Sequence, residues 1–331
     1  MAKIYLIKDA SSGKYEQLLE KELKGKLKPG MKVACKLHMG ESKGMFSPEL
    51  AKRAASVLNK LGCKPFLFDT PVNYPGNRHT AEGYLAHAAA HGFSEQAIGC
   101  PVLIPDQYIS VKTAHMDVEV ADVLKAADAM LVLTHVKGHP GSGFGGAIKN
   151  LAMGCASPKS KGDQHCLGIP KVVDDECTAC GLCEEVCFFK AIKVGDKAVV
   201  DPERCSGCST CVYNCPNNAL ASDVTFDALL AEAAFAALKL MKDKPVFYVN
   251  DTRSITKNCD CFGNPGKMIA EDVGIFMGDD IVSVEMASVD SVINQEGKDV
   301  FKEAHSHDPY LHIKEAEKLG LGKSDYDLEE A

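Results

Sequence analysis

The chain has 331 residues, 46% apolar and 25% charged, which suits a soluble protein of about two domains. Its 37 basic against 45 acidic residues leave a net charge of −8, which argues against nucleic-acid binding. Fifteen cysteines stand beside no tryptophan. With no signal-peptide pattern and no apolar run of about 18 residues, a cytoplasmic protein without a membrane span is expected, and its cysteines point to metal or redox chemistry rather than disulfides.

The first half alternates strands and helices. Residues 4–7 read as a strand, 14–27 as a helix with Leu18, Leu19 and Leu23 inward, and 31–37 as a second strand. Ser47 and Pro48 open a helix that runs to Leu61 and stops at Gly62. Residues 64–69 form a strand ending in Asp69, and Thr80 caps a helix reaching about His91. The stretch 118–127 is expected to be helical, followed by a buried strand over 129–134.

That strand runs into a glycine tract, where Gly141, Gly143, Gly145 and Gly146 permit close backbone approach to a ligand. A helix expected to start near Gly145 would offer free N–H groups to an anion. Three of these glycines match GxGxxG, but no opening βαβ unit surrounds them, so a nicotinamide site is disfavoured. His135, His139, Lys149 and His165 lie on or beyond the tract and form, with it, a candidate catalytic site at a strand end. Taken singly, each of them reads as an ordinary structural residue.

Eight cysteines then fall in two runs. Cys177, Cys180, Cys183 and Cys187 are repeated 28 residues later as Cys205, Cys208, Cys211 and Cys215. This duplication is the pattern of a bacterial ferredoxin with two [4Fe-4S] clusters, in which the fourth cysteine of each run serves the other cluster. Cys177, Cys180, Cys183 and Cys215 are therefore assigned to one cluster, and Cys205, Cys208, Cys211 and Cys187 to the other. Phe188 replaces the proline usual after the fourth cysteine, whereas Pro216 keeps it. A small hairpin is expected over 192–200.

Beyond the module come a helix (226–242), strands (245–250 and 274–277) and a helix (280–294). The whole reads as α/β, with a mostly parallel sheet flanked by helices. The expected organisation is residues 1–170 and 222–331 as two parts of one α/β domain, with 171–221 inserted as the ferredoxin module. Of the other seven cysteines, Cys35, Cys63 and Cys100 read as core residues. Cys155, Cys166, Cys259 and Cys261 are candidates for a further metal or redox site. His305 and His307 read as a polar loop.

The stretch from Thr134 to Ala156 resembles the DUF362 family of uncharacterized Fe–S center proteins, as do Asn258 to Cys261, Asp272 to Ile275 and Ala316 to Gly322. The resemblance covers nearly the whole chain and implies the iron–sulfur insert but no reaction. A second resemblance rests on His139, Lys149 and His165, ten and then sixteen residues apart. It is similar to lactate racemase-type enzymes that bind a nickel-pincer nucleotide. This implies Lys149 as covalent anchor, His165 as nickel ligand, His139 as acid or base, and Arg78 and Thr80 in a substrate region. That family lacks the cysteine module.

Three functions are open at this stage. In the first, a redox enzyme, two [4Fe-4S] clusters serve a small-molecule site, with an additional metal or nucleotide-like cofactor left open. In the second, an electron carrier docks a redox partner protein through its acidic surface and needs no polar pocket near Gly141 to Lys149. In the third, a nickel-pincer-like or other non-redox enzyme keeps its clusters as structure.

Overall fold

The computed structural model describes residues 1–40 and 45–331. Eight strands build the main sheet: β1 (Ala2–Ile7), β2 (Lys32–Leu37), β3 (Lys64–Phe68), β4 (Val102–Leu103), β5 (Ala129–His135), β6 (Val246–Thr252), β7 (Gly274–Gly278) and β8 (Tyr326–Glu330). They lie in the order β8-β1-β7-β6-β5-β2-β3-β4. Pairing is parallel except where β7 meets β1 and β6, so the sheet is mostly parallel, as the alternating elements led us to expect.

The sheet is covered on both faces, as parallel sheets require. Strand alternation sorts the side chains. Val33, Cys35, Leu37, Leu131 and Leu133 pack with α1 (Lys14–Lys24), α2 (Pro48–Lys60) and α3 (Ala81–Ala90). Ala34, Met130 and Val132 face the opposite layer. That layer holds α4 (Ala147–Gly154), α5 (Pro158–Leu167), α6 (Phe226–Leu240), α7 (Ile281–Glu296), α8 (Val300–His305) and α9 (Leu311–Lys318). Ser47 and Thr80 cap their helices as the sequence implies, and Asp280 caps α7; each accepts a main-chain N–H three residues on.

Residues 118–127 depart from expectation. Asp117–Ala121 is a strand paired with Tyr108–Lys112, and helix is confined to Val123–Ala126. Val118 and Val120 are fully buried on one face while Glu119 points away, a period of two that suits β-branched residues better than a helix. Strand β8 had no counterpart in the sequence reading.

The cysteine-rich segment closes on itself. Lys171–Val172 pairs with Leu220–Ala221, and Ile192–Val194 pairs with Ala198–Val200. Its small core gathers Cys177, Cys183, Ile192, Ala198, Cys211, Ala219 and Leu220. The 28-residue repeat is written into the backbone. Left-handed conformations recur in pairs, Ala179 with Gly207, Gly181 with Ser209, and Lys190 with Asn218. The short helices Leu182–Glu185 and Thr210–Asn214 obey the same offset.

Candidate functional site

The two cysteine runs interleave. Cys177, Cys180, Cys183 and Cys215 line one small cavity, together with Pro216 and Ala219. Cys187 lies close enough to Cys205, Cys208 and Cys211 to add to the burial that raises those three thiols. Main-chain N–H groups point at sulfur in both sets. Ala198 donates to Cys177 at 3.4 Å and Ala219 to Cys215 at 3.2 Å. Gly207 donates to Cys205 at 3.4 Å and Ala191 to Cys187 at 3.3 Å. Four sulfurs per set, with N–H donors aimed at them, fit an iron–sulfur cluster in donor type and number.

The carboxyl ends of the parallel strands open onto a cavity of about 400 Å³, where ligands of open α/β sheets bind. β2 delivers Lys36 and leads to His38, β3 leads to Asp69, and β5 ends on Thr134 and His135. The tract after β5 folds into a hairpin, Lys137–His139 against Gly143–Gly145, before α4 begins. The result is that His135, His139, Lys149, His165, Gly145, Gly146, Cys259 and Cys261 all line one cavity. Gly141 and Gly143 serve the hairpin. A Cβ on Gly141 would stand 3.2 Å from Cε1 of His139 and 3.4 Å from the Cβ of Cys208.

The cavity is cationic within an acidic protein. Lys36, Arg78, Lys137, Lys149 and Lys161 line it, against Asp69. Lys36 reaches Asp69 at 3.0 Å and Asn150 at 2.6 Å. Gly154 is obligatory beneath this pair, since a Cβ would overlap both the Lys36 ammonium and the Asp69 carboxylate. Burial alone would push Asp69 up, but Lys36, His38 and Lys161 outweigh it and hold the carboxyl well below the usual range. Burial pushes Lys161 down to about 7. Its ammonium donates to the carbonyl and hydroxyl of Thr70 at 3.1 and 2.9 Å, and to the Pro71 carbonyl. Burial would also lower His38, but Asp260 at 3.0 Å and Asp69 at 3.5 Å raise it.

Hydrogen bonds fix the roles of the histidines. The Gly141 N–H donates to His139 Nδ1 at 3.1 Å, so the ring carries its proton on Nε2. Burial, with Lys149 nearby, holds His139 neutral, well below its ordinary pKa. His165 is the reverse case. Its Nδ1 donates to the Ser206 carbonyl at 2.8 Å, which leaves the lone pair on Nε2, and the ring stacks on Phe226. His135 donates through Nε2 to the Arg253 carbonyl at 2.8 Å. The cavity therefore offers one imidazole as donor and another as acceptor.

The helix start expected to receive an anion is already engaged. The Ala147 N–H donates to the buried Glu285 carboxylate, so positive charge reaches the cavity from side chains instead. Cys155 lies in the core, its thiol pushed up to about 12 by burial, and Cys166 is exposed on α5. The donor that stands with Cys259 and Cys261 is His139, all within 4.8 Å. His305 and His307 are not in a solvated loop. His305 donates to the Lys257 carbonyl, and His307 is buried between Thr210 and Asp227. Of the lining residues absent from the sequence reading, Lys36 carried a signal: it is a charge inside an apolar strand. Lys161 and Lys137 carried none.

A family described as "Domain of unknown function (DUF362)" matches residues 32–290. A 53-residue stretch is 38% identical to a "Ferredoxin-like protein in nif region" of Sinorhizobium fredii, covering 14% of this chain and 83% of that protein. Among solved structures, the lactate racemase apoprotein of Thermoanaerobacterium thermosaccharolyticum matches at 12% identity and a TM-score of 0.38, over 84% of this chain and 54% of its own. A structural-genomics protein of Thermotoga maritima matches at 10% identity and a TM-score of 0.44, over 86% of this chain and 59% of its own. The chain thus spans little more than half the length of the solved structures it matches. Among the described residues no helix is long and apolar enough to cross a membrane.

Proposed function

This chain belongs to the DUF362 family, and from its site we propose that it is an iron–sulfur oxidoreductase acting on a small organic anion. Residues 171–221 act as an inserted ferredoxin-type module. Cys177, Cys180, Cys183 and Cys215 hold one [4Fe-4S] cluster, and Cys205, Cys208, Cys211 and Cys187 hold the other. Such clusters supply or accept electrons one at a time.

One observation carries this reading: the loop of the second cysteine run is a wall of the cavity. Ser206 lines it and anchors His165, while Cys208 packs on the same glycine as His139. A carrier that only docks partners has no need of a cationic cavity at that place. The volume suits a small molecule. Lys149, Lys137 and Arg78 would hold its carboxylate or phosphate groups, with the charge of Lys161 behind them. Phe189, Phe226, Met153 and Val72 would cover its carbon skeleton and exclude water. His139 would donate a hydrogen bond from Nε2 and His165 would accept a proton at Nε2.

The test is anaerobic purification with iron and sulfide analysis, then electron paramagnetic resonance of the dithionite-reduced protein while citrate or inorganic phosphate is added. The proposal expects about eight irons per chain, by the count of two cubanes, and a spectrum of one cluster altered by the anion. Iron near zero after reconstitution would overturn it.

A second reading rests on Lys149 and His165 sharing the cavity, with Nε2 of His165 holding its lone pair. A pincer nucleotide on Lys149 with nickel at His165 would then occupy it. Added mass on the Lys149 peptide, with one nickel per chain, would favour this reading over the first.

A further inference from the structure

Cys259 and Cys261 are put to no use in the reading above. They sit in a pinned loop. Lys257 and Lys267, and Asn258 and Pro265, are joined by main-chain hydrogen bonds of 2.8 and 2.9 Å, and the Thr256–Met268 bridge closes the base. Asp260–Phe262 forms a single 3₁₀ turn, ended by Gly263 in the left-handed conformation. Asp260 is buried at the tip of the turn and bonded to His38, with Lys137 at 3.8 Å. The two thiols are thus held on one side of a tight turn, their sulfurs within 4.8 Å of each other and of a His139 ring nitrogen. Both line the cavity.

A metal is the first reading of two cysteines beside a histidine, but the hydrogen bonds oppose it. His139 accepts the Gly141 N–H on Nδ1 and carries its proton on Nε2, so neither nitrogen presents a lone pair. The ring nitrogens of His38 face Asp260 and Asp69, one each. Asp260, the carboxylate grouped with Cys259 and His38, is turned to His38 at 3.0 Å and Lys137 at 3.8 Å, and two thiols alone do not make a tetrahedral site. They do make a disulfide couple. The Cys259 thiol donates to Asp260 Oδ1 at 3.5 Å, and the neighbouring Cys261, with Lys149 and Lys137, outweighs burial and lowers Cys259, while Cys259 in turn raises Cys261. The two thiols are thus unequal in acidity, the asymmetry found in redox-active pairs.

We infer that Cys259 and Cys261 form a reversible dithiol/disulfide couple in the cavity wall, exchanging electrons with the two clusters of the proposed function. The step balances. Forming the S–S bond from the thiols of Cys259 and Cys261 releases two electrons and two protons. Two one-electron acceptors, one cluster each, take the pair of electrons, and the protons leave through the cavity. Reduction of the disulfide is the reverse. The path is short, because a His139 ring nitrogen is within 4.8 Å of the sulfurs and the ring shares Gly141 as a neighbour with Cys208. The inference rests on the clusters being present, and its test separates the two claims.

Cluster-loaded protein is equilibrated anaerobically with oxidised glutathione, desalted, and titrated with dithionite. Each point is split between electron paramagnetic resonance and acid quenching with N-ethylmaleimide for peptide mass analysis. The expected result is a lag. The first two electron equivalents convert the Cys259–Cys261 peptide from disulfide to doubly alkylated dithiol, as a two-electron couple requires, and only later does the reduced-cluster signal rise. In Cys261→Ser the lag disappears while iron content is unchanged. A peptide that stays doubly alkylatable after the oxidised glutathione, zinc retained on both thiols, or a lag that persists in Cys261→Ser would overturn the inference. Missing iron would instead overturn the cluster assignment, whatever the peptide shows.

Discussion

His139 and Cys208 pack against the same glycine, Gly141, the one from the cavity and the other from the second cysteine run. Gly141→Ala asks the His139 ring to give by a few tenths of an ångström and brings Cys208 into ordinary contact, whereas Gly141→Val adds two further methyl groups between them. We expect Gly141→Val to change the resonance spectrum of one cluster and to weaken citrate or phosphate binding at least tenfold. Gly141→Ala should retain both within about threefold, each tenfold corresponding to about 1.4 kcal/mol. Electron paramagnetic resonance with parallel calorimetric titration checks this.

The internal repeat sets up a second prediction. Ala179 and Gly207 occupy equivalent positions, with φ of 54° and 64°. The conformation itself tolerates alanine, as Ala179 shows. Gly207 is glycine for another reason: a Cβ there would overlap the His165 carbonyl. Gly207→Ala should therefore cost about 1–3 kcal/mol through overpacking, while Ala179→Gly should stay within about 1 kcal/mol. Thermal unfolding under argon distinguishes them.

How much of this was legible in the sequence depended on where the information sits. The glycine tract, His135, His139, Lys149 and the duplicated cysteines are local patterns, and local patterns survive in a sequence. Strand β8 did not, because Tyr326–Glu330 is a short, acidic and mostly exposed edge whose alternation is limited to Tyr326 and Leu328. The strand at Asp117–Ala121 was hidden by apolar residues running on into Val123–Ala126. Lys36, Lys137 and Lys161 reach the cavity from three separate elements, and nothing short of the fold brings them together. The role of Glu285 in closing the start of α4 was invisible for the same reason.

Lys161 yields a prediction in pH. Burial sets it at about 7, so its ammonium is present at pH 6 and lost by pH 8. Anion binding should weaken as pH rises through about 7, by up to tenfold per unit where deprotonation is complete. Lys161→Met should bind phosphate more weakly at pH 6 and show a flatter profile. Calorimetric titration between pH 5.5 and 8.5 is the measurement.

A buried charge cluster behind the site gives a stability prediction. His312 lies 3.4 Å from Glu285 and 3.8 Å from Asp227. Burial alone would lower it, but the two carboxylates raise it to about 9. Its folded value exceeds the unfolded one, so its contribution is fully present below about pH 6.5. That contribution is lost as pH rises through 9. His312→Gln should destabilise by about 3–5 kcal/mol at pH 6, where two buried carboxylates lose their cation. The gap to wild type should narrow by pH 10. Comparing the two proteins at each pH cancels the opposite trend from Lys161.

The central claim is that the cavity and the second cysteine run form one working unit. Potentiometric titration of the anaerobic protein, followed by electron paramagnetic resonance with and without citrate, tests it most directly. The account predicts that citrate shifts the midpoint of one cluster and leaves the other in place, and that Lys149→Ala abolishes the shift while retaining both clusters. Citrate bound in the cavity with neither midpoint moved, or both moved equally, would contradict it.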